Sequence, residues 1–156
     1  MMFRIGVLSD THNFLDPRIP ELFAGVDHIL HAGDIGQPGL LVELEPIAPV
    51  TAVGGNTDDP GFRFKQVAEL EIGGRRFLVQ HIVNPHAPGH VLLERLARAR
   101  PQAVVFGHTH RPFCATLDGT LFFNPGYAGK GRFGLARSVA ILHGEENRLR
   151  PEYLPL

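Results

Sequence analysis

The stretch IGVLSDTH, residues 5–12, runs from an apolar segment directly into an aspartate and a histidine. Its first four residues have the length and composition of a short buried strand. Asp10 and His12 follow where that strand ends, and a carboxylate and an imidazole so placed can turn toward one cation. A simpler interpretation makes Asp10 a cap of the next segment and places His12 in a turn. Taken alone, the stretch predicts a strand and leaves the role of its polar end open.

Four more apolar runs along the chain end in the same kind of residue. They end in Gly33-Asp34, Gly54-Gly55-Asn56, His81 and Gly107-His108-Thr109-His110. Each of these pieces by itself is typical of a surface turn. In an open α/β sheet, however, the carboxyl ends of the strands line one crevice, so side chains far apart in sequence meet there. The repetition therefore predicts a single metal site built from several strand ends.

Length and charge exclude several classes of protein. The 156 residues, 44% of them hydrophobic, predict one globular domain over residues 1–156. The formal net charge is −1, which gives no reason to expect binding to nucleic acid or to a membrane surface. We identify no apolar stretch close to the roughly 20 residues that span a bilayer, and the opening run is too short for a secretory signal. The sequence is compatible with either a monomer or a homo-oligomer.

The single cysteine, Cys114, bears on the cellular compartment. One cysteine cannot form an intrachain disulfide, so we expect a reducing compartment and hence a cytoplasmic location. No neighbouring residue marks Cys114 as an activated nucleophile, and we expect it to be a small core side chain.

Predicted strands and helices alternate along the chain, which ends in a β-rich segment. The predicted strands cover residues 4–8, 29–30, 50–53, 67–72, 75–80, 103–106, 113–117, 120–124, 138–143 and 148–153. The predicted helices cover residues 20–24, 39–45 and 89–100. Gly73-Gly74 and Asp118-Gly119 supply the positive φ angles that two-residue hairpin turns require. This order predicts one α/β domain with two sheets.

The ordered polar blocks resemble those of the calcineurin-like metallophosphoesterases. The order Asp-x-His, Gly-Asp, Gly-Asn, His and Gly-His-x-His runs from Asp10 to His110, and Asn124-Pro125-Gly126 extends the likeness toward the YfcE-like phosphodiesterase branch. The resemblance implies an α/β fold, a four-layer α-β-β-α sandwich with two mixed sheets. It also implies a phosphodiesterase that hydrolyses small phosphodiesters by attack of a metal-bridging hydroxide.

The same resemblance implies roles for individual residues. Seven residues would hold two metal ions. Asp10, His12 and His110 would bind one ion, and Asn56, His81 and His108 would bind the other. Asp34 would bridge the two ions. Two divalent ions are implied, with manganese expected and iron, nickel or zinc as alternatives. Asn56 would also contact the phosphoryl group, and Asp58 would orient the site. Asn124 and Gly126 are the remaining candidates for binding substrate.

Two departures from the family pattern bear on these roles. Ile82 follows His81 where the family usually has glycine, and His86 and His90 lie near enough in sequence to compete as ligands. Thr57 occupies the place of a histidine that, in branches active on phosphomonoesters, protonates the leaving oxygen. The first departure concerns one ligand, and the second concerns the choice of substrate.

Two alternative functions remain. A non-catalytic protein-interaction scaffold of the same fold, similar to a retromer subunit, would not need the complete set of ligands. A mononuclear zinc hydrolase built on His108 and His110 would not require Asp34 and Asn56 at separate strand ends. We expect His31, which precedes Gly33-Asp34, to be a core side chain rather than an acid of the site.

Overall fold

The computed structural model describes residues 2–132 and 134–156. The strands are β1 Phe3–Leu8, β2 His28–His31, β3 Val50–Ala52, β4 Val67–Ile72, β5 Arg75–Gln80, β6 Ala103–Val105, β7 Phe113–Leu117, β8 Thr120–Asn124, β9 Ser138–Glu145 and β10 Arg148–Pro155. The helices are α1 Ile19–Leu22, α2 Gly39–Leu44 and α3 Gly89–Ala99, and a short 3-10 helix covers Pro60–Phe62.

The strands form two sheets of five, each with parallel and antiparallel pairs. The first sheet has the order β10-β9-β1-β2-β3, in which β1, β2 and β3 are parallel. The second has the order β4-β5-β6-β8-β7, in which β5, β6 and β8 are parallel. Helices connect the neighbouring strands β1–β2, β2–β3 and β5–β6, as parallel pairing requires.

Alternate residues of each strand point to opposite faces of its sheet. One face of each sheet packs against the other sheet. Ile5 and Val7 of β1 share one buried cluster with Phe77 and Val79 of β5. Continuous apolar runs such as residues 103–105 are buried on both faces, as expected for strands covered on both sides. The main core therefore lies between the sheets.

The helices cover the outer faces of the two sheets. Ile19 of α1 and Leu44 of α2 pack in one cluster with Ile29 of β2, and Leu92 of α3 packs with Leu78 of β5. The architecture is the four-layer α-β-β-α sandwich that the resemblance implied. Among the described helices, none is both long and apolar enough to cross a membrane.

Most element boundaries agree with the sequence prediction to within two residues. The β4–β5 and β7–β8 hairpins have the predicted bounds, and Gly73, Gly74, Asp118 and Gly119 all have positive φ. The expectation of a core position for Cys114 is wrong, because this residue lies exposed on β7, an edge strand. The alternation of half-buried and exposed residues along β7 explains its exposure.

Candidate metal centre

The carboxyl ends of the parallel strands in both sheets meet at one edge of the sandwich. The Asp10 amide donates to the Gly33 carbonyl at 2.9 Å, which joins the ends of β1 and β2. The Gly107 amide donates to the His81 carbonyl at 3.0 Å, which joins the ends of β6 and β5. The His108 amide donates to the Asp10 carboxylate at 3.1 Å and links the two sheets. The predicted convergence of strand ends is therefore present.

Asp10 is fully buried and presents one unpaired oxygen to the cluster. Its Oδ2 accepts hydrogen bonds from the Ser9 hydroxyl at 2.8 Å and from the His108 amide. Its Oδ1 has no hydrogen-bond partner among the described residues and lies 3.3 Å from His110 Nε2 and 3.8 Å from His12 Nε2. Burial is the largest influence on this carboxyl and raises its pKa. An unpaired buried oxygen is costly unless a cation or a proton satisfies it.

Asp34 lies between the two groups of histidines. Its Oδ1 accepts from the Thr57 amide at 2.9 Å, while Oδ2 lies 3.2 Å from His81 Nε2 and 3.7 Å from His12 Nε2. Burial raises the pKa of this carboxyl, but its pairing with His81 and the hydrogen bond from Thr57 outweigh it and hold the pKa below its ordinary range. Asp34 is thus an ionised carboxylate within reach of both groups.

The orientation of His81 is that of a metal-binding histidine. Its Nδ1 lies 2.7 Å from the Ala32 carbonyl, which can only accept, so Nδ1 carries the proton. Nε2 then faces Asp34 Oδ2 and, at 3.1 Å, Asn56 Oδ1. A bare nitrogen opposite two oxygens repels them unless a proton or a cation lies between. A carbonyl that fixes the other ring nitrogen is the usual support of such a ligand.

The side-chain oxygen of Asn56 contacts both His81 and His108. The Asn56 Oδ1 atom lies 3.1 Å from His81 Nε2 and 3.0 Å from His108 Nδ1. All three belong to the ligand set that the resemblance assigned to the second ion. The structure therefore brings the candidate ligands of that ion together beside Asp34.

The spacing of these atoms suits divalent ions. Ligand atoms that lie roughly 2.1 Å from an ion are about 3.0–3.5 Å from each other. Two triplets have ligand atoms that all lie within 4.8 Å of one another, namely Asp10, His12 and His110, and Asp10, Asp34 and His81. The buried Nε2 of His12, like Asp10 Oδ1, is unpaired within the described part of the chain. The donor set and its unpaired atoms therefore fit metal ions.

Asp10 has one contact that the resemblance did not imply. Asp10 Oδ1 lies 3.8 Å from His81 Nε2, so Asp10, and not Asp34 alone, reaches toward both groups of histidines. The sequence could not reveal this because it depends on where the end of β1 lies relative to the end of β5 in the folded protein.

The backbone is strained where the candidate ligands are held. Five of the nine non-glycine residues with positive φ in the described chain are candidate ligands: Asp10, His12, Asp34, His108 and His110. Such conformations cost free energy and persist where the surrounding structure imposes them, which is common at functional sites. The strain therefore marks the cluster independently of its chemistry.

The glycines of the motifs allow the strand ends to approach one another. A Cβ atom on Gly55 would collide with Asp34, and one on Gly107 would collide with Ser9 and Asp10. Neither glycine has a positive φ, so close approach and not backbone conformation is what requires glycine there.

Comparison with known proteins decides the family. Residues 3–147 match the family model of the calcineurin-like phosphoesterase superfamily domain. The protein belongs to this superfamily. The chain is 33% identical over 133 residues to a probable metallophosphoesterase from Methanothermobacter thermautotrophicus, covering 78% of this chain and 75% of the relative. It is 28% identical over 169 residues to a phosphodiesterase from Methanocaldococcus jannaschii, covering 94% of this chain and 96% of the relative.

Solved structures show the same fold for this phosphoesterase. A phosphoesterase-type protein from Streptococcus pneumoniae superposes with a TM-score of 0.79 at 21% identity, covering 99% of this chain and 90% of that one. Vps29 from Entamoeba histolytica superposes with a TM-score of 0.71 at 18% identity, covering 98% and 99%. At these identities, the similarity establishes the fold alone.

Asp58 of the phosphoesterase acts on the loops and does not touch the cluster. Its carboxylate accepts from the amides of Ile35 at 3.1 Å, Gly36 at 2.9 Å and Gly55 at 2.8 Å. These bonds tie the loop after β2 to the loop after β3. These bonds fit the orienting role that the resemblance implied for Asp58, and that role stays a prediction.

Asn124 and Gly126 form hydrogen bonds within the protein. Asn124 is fully buried, and its amide group donates to the Gly107 carbonyl and to the Thr109 hydroxyl, each at 3.1 Å. Its Oδ1 accepts from the Gly126 amide at 2.9 Å. Both polar ends of Asn124 are therefore used within the protein, and substrate contact by Asn124 or Gly126 stays a prediction. These hydrogen bonds support the loop that carries His108.

The structure separates His81 from its two competitors in the sequence. His81 is buried in the cluster, whereas His86 lies exposed in the loop after β5 and His90 lies exposed on α3. A residue at the end of a strand has a fixed direction, which loop residues several positions later lack.

His31 is a core side chain, as expected. Its Nδ1 accepts from the Gly33 amide at 3.1 Å, and its Nε2 lies 2.9 Å from the Thr11 hydroxyl. Burial lowers its pKa to about 3, so this ring is neutral. It supports the loop between β2 and Asp34 and has no free nitrogen for chemistry.

Sequence reasoning missed two residues that hold the cluster in place. Ser9 donates to Asp10 and so directs the other carboxylate oxygen toward the histidines. Tyr127 is buried with its ring centroid 4.7 Å from that of His110 and 6.3 Å from that of His12. A hydroxyl directly before Asp10 was a usable signal for the first, and the place of Tyr127 directly after Asn124-Pro125-Gly126 was a usable signal for the second.

Proposed function

We propose that this phosphoesterase is a cytoplasmic, dinuclear metal-dependent phosphodiesterase that hydrolyses small organic phosphodiesters, with Mn²⁺ as the expected metal. The observation that carries the proposal is the pair of unpaired buried atoms, Asp10 Oδ1 and His12 Nε2, which face each other within a larger set of nitrogen and oxygen donors. Mixed donors of this kind suit manganese, iron, nickel or zinc.

Each side of the cluster would hold one ion. Asp10, His12 and His110 provide one set of donors, and Asn56, His81 and His108 provide the other, with both carboxylates between them. When bound, two divalent ions activate the attacking water and stabilise the charge on the phosphoryl oxygens.

The charge of the cluster supports an anionic substrate. Two divalent ions less the Asp10 and Asp34 carboxylates leave a formal charge of roughly +2, which attracts a phosphodiester monoanion. Asn56 is exposed, and its Oδ1 points toward His81 and His108, which leaves its NH₂ group able to donate to a phosphoryl oxygen. Asn56 therefore orients the substrate.

Two further observations support a diester as the substrate. Thr57 offers no imidazole to protonate a leaving oxygen, so the site favours esters whose leaving groups depart without an acid. The relative from Methanocaldococcus jannaschii is named a phosphodiesterase.

The test is turnover of bis(p-nitrophenyl) phosphate by protein that has been stripped of metal and then loaded with Mn²⁺. We expect activity to return with the metal and to fall at least about 100-fold in Asp10→Asn. Asp118→Asn is the matched control, because Asp118 lies in the β7–β8 turn, where asparagine is equally suitable. The scaffold hypothesis is favoured instead if the metal-loaded protein hydrolyses no phosphodiester.

A further inference from the structure

An apolar cleft adjoins the candidate metal cluster on the side of His108. Its volume is about 510 Å³, within the range of small-molecule sites. His108 and Thr109 form one end, and Phe106, Pro112 and Phe113 line the wall. The cleft therefore begins at a residue of the cluster itself.

A second cleft adjoins the same cluster on the side of Asn56. It is smaller, with a volume of about 340 Å³, and Asn56 and His81 form its inner end. Gln66, Gln80 and Arg95 contribute polar groups to its lining, beside the apolar Val67 and Val91. The two clefts thus differ in chemistry although they meet at one metal site.

Ile82 lines both clefts. Its side chain is 50% exposed, and it follows directly after His81, whose ring is fixed in the cluster. Glycine at this position would remove a side chain that the two clefts share.

We propose that the two clefts receive the two unlike substituents of the phosphodiester, with an aromatic or apolar substituent in the cleft beside His108. This inference rests on the proposed function and specifies its substrate class. A phosphodiester carries two organic groups on one phosphorus, which matches two clefts that meet at one cluster. Apolar walls favour a carbon-rich group, whereas Gln80 and Arg95 can donate hydrogen bonds to a polar one.

An aromatic substituent fits the apolar cleft particularly well. The ring of Phe113 is half-buried and packs edge-on against His86, with centroids 5.9 Å apart, and lies tilted against Phe106 at 6.0 Å. A further ring would extend this aromatic cluster, since aromatic pairs prefer edge-on and offset arrangements. Phe113 and Ile82 are therefore the residues that set the preference.

Equilibrium binding tests the assignment without depending on turnover. The probes are methyl phenylphosphonate and methyl methylphosphonate, two monoanions that differ in one substituent, titrated calorimetrically into Mn²⁺-loaded protein. We expect the phenyl compound to bind on the order of ten-fold more tightly, the scale of a small apolar contact. Phe113→Ala and Ile82→Gly should each reduce this ratio by several fold.

Leu93→Ala is the matched control, because Leu93 is a 53% exposed apolar residue on α3 that lines neither cleft. The ratio of the two probe affinities in Leu93→Ala should equal the ratio in the original protein. Equal affinities for the two probes would overturn the proposal, and so would a ratio that Ile82→Gly and Phe113→Ala leave unchanged. If one of these two variants does not fold, the other decides.

Turnover of bis(p-nitrophenyl) phosphate in the same preparation distinguishes the assignment of the clefts from the proposed phosphodiesterase activity. Turnover with equal affinities rejects the assignment of the clefts and leaves the phosphodiesterase intact. A ten-fold ratio without turnover supports the clefts as a binding site and rejects hydrolysis.

Discussion

Asp34 is the residue whose carboxylate lies nearest to both groups of histidines. Its Oδ2 is 3.2 Å from His81 Nε2 and 3.7 Å from His12 Nε2. We expect Asp34→Asn to weaken both metal sites by about 10–100-fold or more, because the neutral amide loses a charge that both ions would share. Calorimetric titration with Mn²⁺ measures both affinities. A variant in which one site keeps its full affinity would show that Asp34 does not bridge.

His81 is expected to be a metal ligand, whereas its neighbours in sequence are not. His81→Ala should lower the affinity for Mn²⁺ because it removes a nitrogen that faces Asp34 and Asn56. His90→Ala, on the exposed surface of α3, is the control and should keep that affinity. Loss of metal binding in His86→Ala with His81→Ala unaffected would contradict the assignment.

Thr57 predicts how the rate depends on the leaving group. Without an acid at this position, kcat/KM should fall steeply as the leaving group becomes more basic. Thr57→His should flatten that dependence and raise the rate on poor leaving groups by about 10²-fold or more, if the new imidazole reaches the leaving oxygen. The measurement is a series of aryl and alkyl diesters with Mn²⁺. A flat dependence in the original protein would show that an acid is already present.

Single residues also show where sequence reasoning succeeded and where it failed. The places of Asp10 and His81 could be predicted because each lies within two residues of the end of its strand, so the end of the strand determines where it lies. Asn124 is the last residue of β8, yet its amide turns inward to Gly107. That direction depends on the neighbouring loop and not on the local pattern.

At the scale of elements, the site depends on how closely the loops after the strands pack. Gly55→Ala would place a methyl group against Asp34, so we expect a loss of about 1–3 kcal/mol in the free energy of unfolding and a large drop in Mn²⁺ affinity. Gly39→Ala is the control, because Gly39 begins α2 with nothing within 4 Å of the added atom. Urea unfolding and metal titration test both variants. Unchanged metal affinity in Gly55→Ala would contradict the packing argument.

The elements themselves were predictable where a local rule fixes them. The hairpin turns at Gly73-Gly74 and Asp118-Gly119 have a required φ, and their strands end as predicted. β9 and β10 extend to Glu145 and Pro155, beyond the predicted ends, because they pair in register along eight residues. Pairing between strands is a tertiary effect, so the local sequence pattern does not fix where these strands end.

At the scale of the whole molecule, one ion-pair cluster joins the beginning of the chain to its end. The buried Asp16 carboxylate accepts from Arg18 at 2.9 Å and from Arg137, at the start of the last hairpin, at 3.1 Å. The Arg18 side chain, more than any other group, holds the pKa of Asp16 below its ordinary value.

This cluster predicts a dependence of stability on pH. A lowered pKa stabilises the folded state above the unfolded pKa of about 3.9, and that contribution is lost as the pH falls through the lower folded value. Asp16→Asn should therefore cost about 1–3 kcal/mol at pH 7, and the difference should shrink below pH about 4. Urea unfolding at several pH values measures it, with Asp118→Asn as the control. A difference that grows in acid would contradict the assignment.

The central claim is that one chain holds two metal ions that hydrolysis requires. The most direct measurement adds Mn²⁺ stepwise to metal-free protein and follows both the bound metal and the turnover of bis(p-nitrophenyl) phosphate. We expect turnover to rise until about two ions are bound per chain and then to stay constant. Full turnover with one bound ion, or turnover without metal, would contradict the claim.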